Sequence, residues 1–322
     1  MRIFRKLEDV PPDFAPCALT IGNFDGVHAG HRRLFRRVRA TAAERGLKAS
    51  VLTFDPHPAR IVAPERAPRL MTTPEQRTAL MAEEGIEQVL ILPFDDAVAH
   101  LSPDEFARRI LAGKLGARAV LVGDNFHFGF QQAGNVRVLA ELGKRHGFDT
   151  QIVPAVSLRG RTVSSSSIRR MLETGEVARA ARLLGRPFAV EGEVIPGRGV
   201  GARQTVPTLN LKTGTEMLPA TGVYISRTLD LDDGRRWPSI TNIGRRPTFD
   251  GGDLSIETHL LEPLAWPAPR RIRLELLRRV RPERKFASPE ELKRQILRDV
   301  ERARTYFRRL ARWIGAPLRL SP

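Results

Sequence analysis

Of the seven histidines in 322 residues, two, His28 and His31, stand three apart beside Gly22, Gly26 and Gly30 in the stretch "ALTIGNFDGVHAGH". Glycine lets a backbone approach a phosphate closely, and a helix starting near His31 aims unpaired N–H groups at the same spot. Two imidazoles placed there would donate hydrogen bonds to a phosphoryl group as its negative charge builds. The chemistry implied is nucleotidyl transfer, driven by positioning and charge stabilisation. The same spacing also reads as two metal ligands or as ordinary loop histidines.

Three other polar clusters accompany them: Asp55-Pro56-His57-Pro58, Gly123-Asp124-Asn125-Phe126, and the serine run Ser164 to Ser167 that leads into Ile168-Arg169. Each has a plain reading. His57 between two prolines marks a rigid turn, Asp124 and Asn125 are turn formers, and four serines make a solvated loop that caps a helix. The second half holds "GRGVGARQTVPTLNL", from Gly197 to Leu211, without the Lys-Ser/Thr of a Walker sequence. A loop with Gly197, Gly199 and Gly201 can fold over phosphates. After Pro207, the Thr208 hydroxyl and the Asn210 amide oxygen suit a hard cation such as Mg²⁺. In "SIETHLL", strict alternation sets Ile256 on one face and Ser255, Glu257 and His259 on the other. A carboxylate such as Glu257 can deprotonate an alcohol that comes within hydrogen-bond reach, or simply be solvated.

The elements that must position these residues differ between the two halves. Up to about residue 185, the short apolar runs "CALTI", "ASVLTF", "QVLIL", "ARAVLVG" and "TQIVPAV" alternate with helical patterns at His31–Glu44, Pro74–Glu83, Pro103–Leu111 and Val136–His146. That alternation predicts a parallel sheet covered by helices, an α/β domain over residues 1–185. Such sheets bind ligands outside the carboxyl ends of their strands, and all four clusters of this half fall there. Leu34, Phe35, Val38 and Ala42 form the inward stripe of the first helix, which leaves its arginines on the solvent side. From residue 186 onward, six strand-like runs set off by Gly, Pro and Asp-Asp-Gly turns predict an all-β closed barrel, residues 186–322. A helix follows the Ser288-Pro289-Glu290-Glu291 start signal and runs to about Trp313, with Leu292, Ile296, Val300, Ala303 and Phe307 on one side.

Composition narrows the classes. The formal charge of +17 favours polyanions of any kind, and 17 basic against 6 acidic residues beyond Pro267 make a nucleic-acid binder the competing class. Aromatic residues are only 6% and are not interleaved with the basic ones, which argues against it. The single cysteine, Cys17, excludes a disulfide framework and reads as packing rather than as a nucleophile. No apolar run approaches a membrane span and the charged start lacks a signal-peptide core, so a soluble cytoplasmic protein is expected.

Taken in order, "TIGNFDGVHAGH", "TFDPHP", "VGDNFHFG" and "VSSSSIR" resemble the adenylyltransferase module of the bacterial bifunctional riboflavin kinase/FAD synthetase family. The glycine loop, Pro-Thr-x-Asn, "GVY", "TNIGRRPT" and "IETHLL" are similar to its riboflavin kinase module. The resemblance implies two reactions: phosphorylation of riboflavin to FMN in the barrel, then transfer of AMP from ATP to FMN in the α/β domain, giving FAD and pyrophosphate, both with Mg²⁺. It implies that His28 and His31 contact ATP phosphates and that Ser164, Ser165 and Arg169 hold the leaving pyrophosphate. Gly22, Asn23, Phe24, Asp25 and Gly30 shape the nucleotide pocket. His57 borders it, Asn125 approaches the flavin phosphate or the metal, and Asp124 and Arg69 belong to the flavin side. In the barrel, Gly197, Gly199, Gly201 and Pro207 cover ATP, Thr208 and Asn210 hold Mg²⁺, and Glu257 is the base for the ribityl 5′-hydroxyl. One departure is Thr205, where the family usually has glycine; an active kinase with altered ATP affinity is expected. The partners expected are small molecules, without nucleic acid or membrane. The alternative enzyme is a nucleotidyltransferase for another phosphorylated molecule, joined to a barrel that binds without phosphorylating.

Overall fold

A computed structural model describes residues 1–158, 160–196, 208–245, 254–264 and 268–314. The chain divides into two compact units, Met1–Ser165 and Ser166–Pro322.

In the first unit, strands β1 (Arg2–Phe4), β2 (Cys17–Ile21), β3 (Lys48–Asp55), β4 (Gln88–Pro93), β5 (Ala117–Gly123) and β6 (Asp149–Val153) form one sheet in the order β1-β4-β3-β2-β5-β6. Every neighbouring pair is parallel. Such a sheet must be buried on both faces. Alternate residues of each central strand accordingly feed two separate cores. Leu19, Leu52, Leu90 and Val120 pack with Phe106, Leu111 and Leu139 on one side. Ala18, Val51, Val89 and Ala119 pack with Phe35, Val38 and Met81 on the other.

Helix α1 (Ala29–Arg45) buries Leu34, Phe35, Val38 and Ala42, the predicted stripe, and ends at Gly46 in the left-handed conformation. Helix α2 (Pro74–Glu83) opens with a complete capping box between Thr73 and Gln76. The turn begun at Pro103–Glu105 continues to Lys114, beyond the predicted end at Leu111, as a π-helix over Phe106–Lys114. Helix α3 (Val136–His146) falls where its pattern places it. Strand order reverses direction between β2 and β5, which makes the carboxyl ends of these two strands the topological switch point.

Helix α4 (Ser165–Glu173) spans the division between units, and α5 (Val177–Leu184) follows it. The second unit then closes a six-stranded barrel from β7 (Phe188–Ile195), β8 (Leu209–Thr213), β9 (Gly222–Asp230), β10 (Arg236–Arg245), β11 (Leu254–Leu260) and β12 (Arg271–Pro282), in the order β7-β8-β11-β10-β9-β12. All its pairings are antiparallel. The α/β sheet, the closed antiparallel barrel and the terminal helix are thus the architecture expected from the sequence.

The barrel interior mixes Tyr224, Ile243, Ile256, Leu274 and Leu276 with five fully buried hydroxyls. Those of Thr228, Ser239, Ser226, Thr241 and Thr258 form one chain with steps of 2.7–2.9 Å, so each has a partner and none carries an unmet desolvation cost. Helix α6 (Pro289–Ile314) lies against the outer face, where Val300, Ala303 and Phe307 meet Val223, Ile225, Ile240 and Leu261. Its first predicted core position, Leu292, is instead 38% exposed.

Candidate functional site

The loop after β2 is held in a conformation its residues resist. Phe24 and Val27 have φ of 51° and 37°, and for β-branched Val27 that is a true outlier. Strain of this kind persists only where surrounding contacts over-determine it. Those contacts are present. The Asp25 carboxylate, 2% exposed, accepts the backbone N–H groups of Met71 and Thr72 at 3.0–3.1 Å and the Thr72 hydroxyl at 2.9 Å. That hydroxyl in turn accepts the Gly26 N–H at 3.1 Å. The Phe24 ring is buried against Phe35 and edge-on to His31, and it covers Gly22, where a Cβ would meet the ring at 3.0 Å.

The two histidines follow from this loop. His28 is the N-cap of α1, and its Nδ1 accepts the backbone N–H of His31 at 3.3 Å. With Nδ1 an acceptor, the neutral ring carries its proton on Nε2. The two rings stack at a centroid separation of 3.6 Å and an interplanar angle of 19°. A Cβ at residue 30 would sit 3.1 Å from the His28 ring, so glycine between the histidines is what makes room for the stack. Two imidazoles therefore stand beside the positive end of a 17-residue helix, a place suited to a multiply charged anion.

Two further segments, around His57 and Ser165, meet the same loop, while the turn after β5 stands at the same edge of the sheet. The Asn23 amide lies 3.0 Å from Nε2 of His57, whose Nδ1 accepts the Ala59 N–H at 3.1 Å. The Ser165 hydroxyl donates to the Asp25 carbonyl at 3.1 Å, which brings the start of the serine run, with Ser164, to the histidine loop. After β5, Asp124 accepts the Ala155 N–H at 3.4 Å, and the exposed Asn125 turns its side-chain oxygen to within 3.3 Å of where a Gly123 Cβ would be. Arg69 is exposed just ahead of the Met71–Thr72 segment that Asp25 holds. Arg169 lies on α4, in the second unit.

Sequence reasoning missed Arg77. Only 3% exposed, it donates through Nη1 to the carbonyls of Asn23 at 3.0 Å and Phe54 at 3.5 Å, tying α2 to the ends of β2 and β3. In a helix rich in polar residues an inward arginine looks like its outward neighbours, so no pattern marks it. Cys17 is fully buried, and burial pushes its thiol up to about 12. A thiol in that state is no nucleophile.

In the barrel, antiparallel register sets Glu257 directly opposite Asn210 on one side and Asn242 on the other. Directly opposed residues share a face with Cβ atoms roughly 5 Å apart. Thr208 lies two residues before Asn210. An amide and a carboxylate are therefore paired where the start of β8 meets the middle of β11, with the Thr208 hydroxyl just ahead of β8. Gly197, Gly199, Gly201, Thr205 and Pro207 lie outside the described residues.

Comparison with known proteins finds two families along the chain. Residues 10–167 match the FAD synthetase family and residues 184–307 the riboflavin kinase family. A bifunctional riboflavin kinase/FMN adenylyltransferase from Pseudomonas fluorescens is 38% identical, over 94% of this chain and 97% of that protein. The protein of the same name from Escherichia coli strain K12 is 36% identical, over 90% and 93%. That from Haemophilus influenzae is 32% identical, over 95% and 99%. Among solved structures, one titled a macrolide-efflux protein from Streptococcus pneumoniae superposes with a TM-score of 0.84 at 26% identity, over 94% of this chain and 98% of its own. Among the described residues, no helix is long and apolar enough to cross a membrane.

Proposed function

The chain belongs to the bifunctional riboflavin kinase/FMN adenylyltransferase family, and from that premise we propose which of its residues carry each of its two reactions. The protein phosphorylates riboflavin to FMN with ATP and adenylylates FMN with a second ATP, giving FAD and pyrophosphate. The observation that best supports a two-site reading is the separation of the polar clusters. The histidine cradle is built within Met1–Ser165, and the Asn210–Glu257 pair within Ser166–Pro322.

For adenylylation, an oxygen of the FMN phosphate attacks the α-phosphorus of ATP in line and pyrophosphate leaves, so no covalent enzyme intermediate is needed. His28 and His31 donate to the phosphate oxygens together with the α1 N-terminus. Ser164, Ser165 and Arg169 hold the leaving pyrophosphate. Asn23 and His57 line the nucleotide side with the backbone of Gly22 to Asp25, and Asn125, Asp124 and Arg69 serve the flavin side. Asp25 and Arg77 act by fixing the loop: the Asp25 carboxylate is taken up by Met71 and Thr72, and Arg77 Nη1 holds the Asn23 and Phe54 carbonyls.

For phosphorylation, Glu257 takes the proton of the ribityl 5′-hydroxyl as that oxygen attacks the γ-phosphorus and ADP leaves. The oxygen donors of Thr208 and Asn210 fit Mg²⁺, a hard cation that usually takes few protein ligands and completes its shell with phosphate and water. Bound there, it would neutralise charge on the phosphates. Residues 1–185 as the adenylylating domain and 186–322 as the kinase remain the division we favour by chemistry, with a cytoplasmic site of action.

The test is a time course with riboflavin, ATP and Mg²⁺, with the flavins separated by chromatography. FMN should rise and then convert to FAD. His28→Ala should stop FAD while leaving FMN formation intact, and Glu257→Ala should stop FMN while leaving FAD formation from supplied FMN. Loss of both reactions in either folded variant would refute the two-site assignment.

A further inference from the structure

The outer face of the barrel carries a polar strip next to Glu257 that the two reactions as assigned do not use. Asn242 faces Glu257 across β10 and β11, and two residues further along β10, Gly244 faces Ser255. On the other side Asn242 pairs with Val223, which already belongs to the apolar contact with α6. The strip therefore runs from Asn210 through Glu257 to Asn242 and stops at the helix.

Gly244 is bare for a reason. A Cβ at this position would lie 2.5 Å from Oε1 of Glu283 and 3.3 Å from the Asn242 side-chain amide nitrogen. A carboxylate and an amide thus turn toward the same point of backbone, and Gly244 beneath them is buried. Glu283 follows directly on β12, where Arg281 pairs with Val223 and Pro282 with Gly222. It is exposed, Asn242 is half-buried, and among the described residues neither side chain is engaged in an ion pair or hydrogen bond. The patch offers an acceptor, a donor–acceptor amide and the Ser255 hydroxyl.

A polyol matches that pattern. It carries a hydroxyl on each carbon, so with its end hydroxyl at Glu257 the next ones reach one strand over, roughly 4.8 Å away. We propose that Asn242 and Glu283, held side by side over Gly244, bind the inner ribityl hydroxyls of riboflavin through their outer faces, and so select a polyhydroxylated alcohol as the kinase substrate. The carboxylate accepts from the hydroxyls, and the amide both donates and accepts. This inference rests on the assignment of Glu257 as the base.

Kinase kinetics on the full chain test it, with riboflavin and with an analogue that keeps the 5′-hydroxyl but lacks the 3′- and 4′-hydroxyls. Glu283→Ala and Asn242→Ala should each raise the riboflavin KM about tenfold, the scale of a lost hydrogen bond to a charged or buried partner, with the ATP KM unchanged. The analogue should bind the parent protein more weakly than riboflavin, and the two variants should no longer tell them apart. Gly244→Ala, which fills the bare point, should raise the riboflavin KM as well. A riboflavin KM within twofold of the parent in both single variants would overturn the proposal. So would equal weakening of riboflavin and analogue, which marks a merely structural role. Glu257→Gln is measured separately through kcat: full retention there removes the base assignment, while the KM coupling between Glu283 and the hydroxyls is read independently of it.

Discussion

At Gly30 a single hydrogen decides whether the histidine stack exists. A methyl group there would stand 3.1 Å from the His28 ring, and the ring has His31 behind it. Gly30→Ala should therefore displace His28 and cut FAD formation at least tenfold, with FMN formation unchanged, as measured by initial rates of each reaction. Asp25 acts through its neighbours instead. Asp25→Asn places an N–H group against backbone donors at Met71 and Thr72, and should cost about 2 kcal/mol in denaturant unfolding as well as adenylylation rate. Cys17 gives a pH-dependent signature. Its thiol stays protonated in the fold up to about 12, whereas the unfolded chain releases that proton near 9. Between those limits the unfolded state binds fewer protons, so stability falls as pH rises, by up to about 1.4 kcal/mol per unit. The difference in stability between the parent and Cys17→Ala should show this slope above pH 9 and none below it.

Elements hold those residues through contacts that range from obvious to invisible in the sequence. The α1 stripe, the barrel strands and the alternation around Glu257 were legible because each follows a single period. β1 was not, since three residues at a sheet edge, mostly exposed, show no alternation. The extension to Lys114 was hidden because a π-helix shifts the period on which helix ends are judged. The four loops at the switch point could be named, but not how they are fastened. Asp25 reaches Met71 and Thr72, far along the chain, and the positive φ of Phe24 and Val27 has no glycine to announce it. The same holds for the docking of α6, where Asp299 accepts from Arg281 at 2.7 Å and from Gln295 at 2.9 Å. With side chains 15% and 3% exposed, Arg281 and Asp299 form a buried ion pair, and removing one member leaves an uncompensated charge. Asp299→Ala should cost about 3 kcal/mol of stability, against far less for Glu301→Ala, whose pairing with Arg308 is exposed. Thermal unfolding of the two variants compares them directly.

For the whole molecule, the question is whether one chain does both reactions because they share machinery or because their order benefits from a common chain. The chemistry favours the second. One reaction activates an alcohol and needs a base; the other uses a phosphate that is already a nucleophile and needs only positive charge around the phosphates it splits. The histidine cradle and the Asn210–Glu257 pair answer these different needs with no residue in common. FMN released by one molecule should then serve another. Equimolar His28→Ala and Glu257→Ala proteins, each unable to make FAD from riboflavin alone, should do so when mixed, with a lag during which free FMN accumulates. The lag should shorten as the Glu257→Ala protein is increased, because adenylylating capacity sets how soon FMN is consumed as fast as it is supplied. A mixture that makes FMN but no FAD, with each variant retaining its own partial reaction, would show instead that FMN must pass between sites of the same chain.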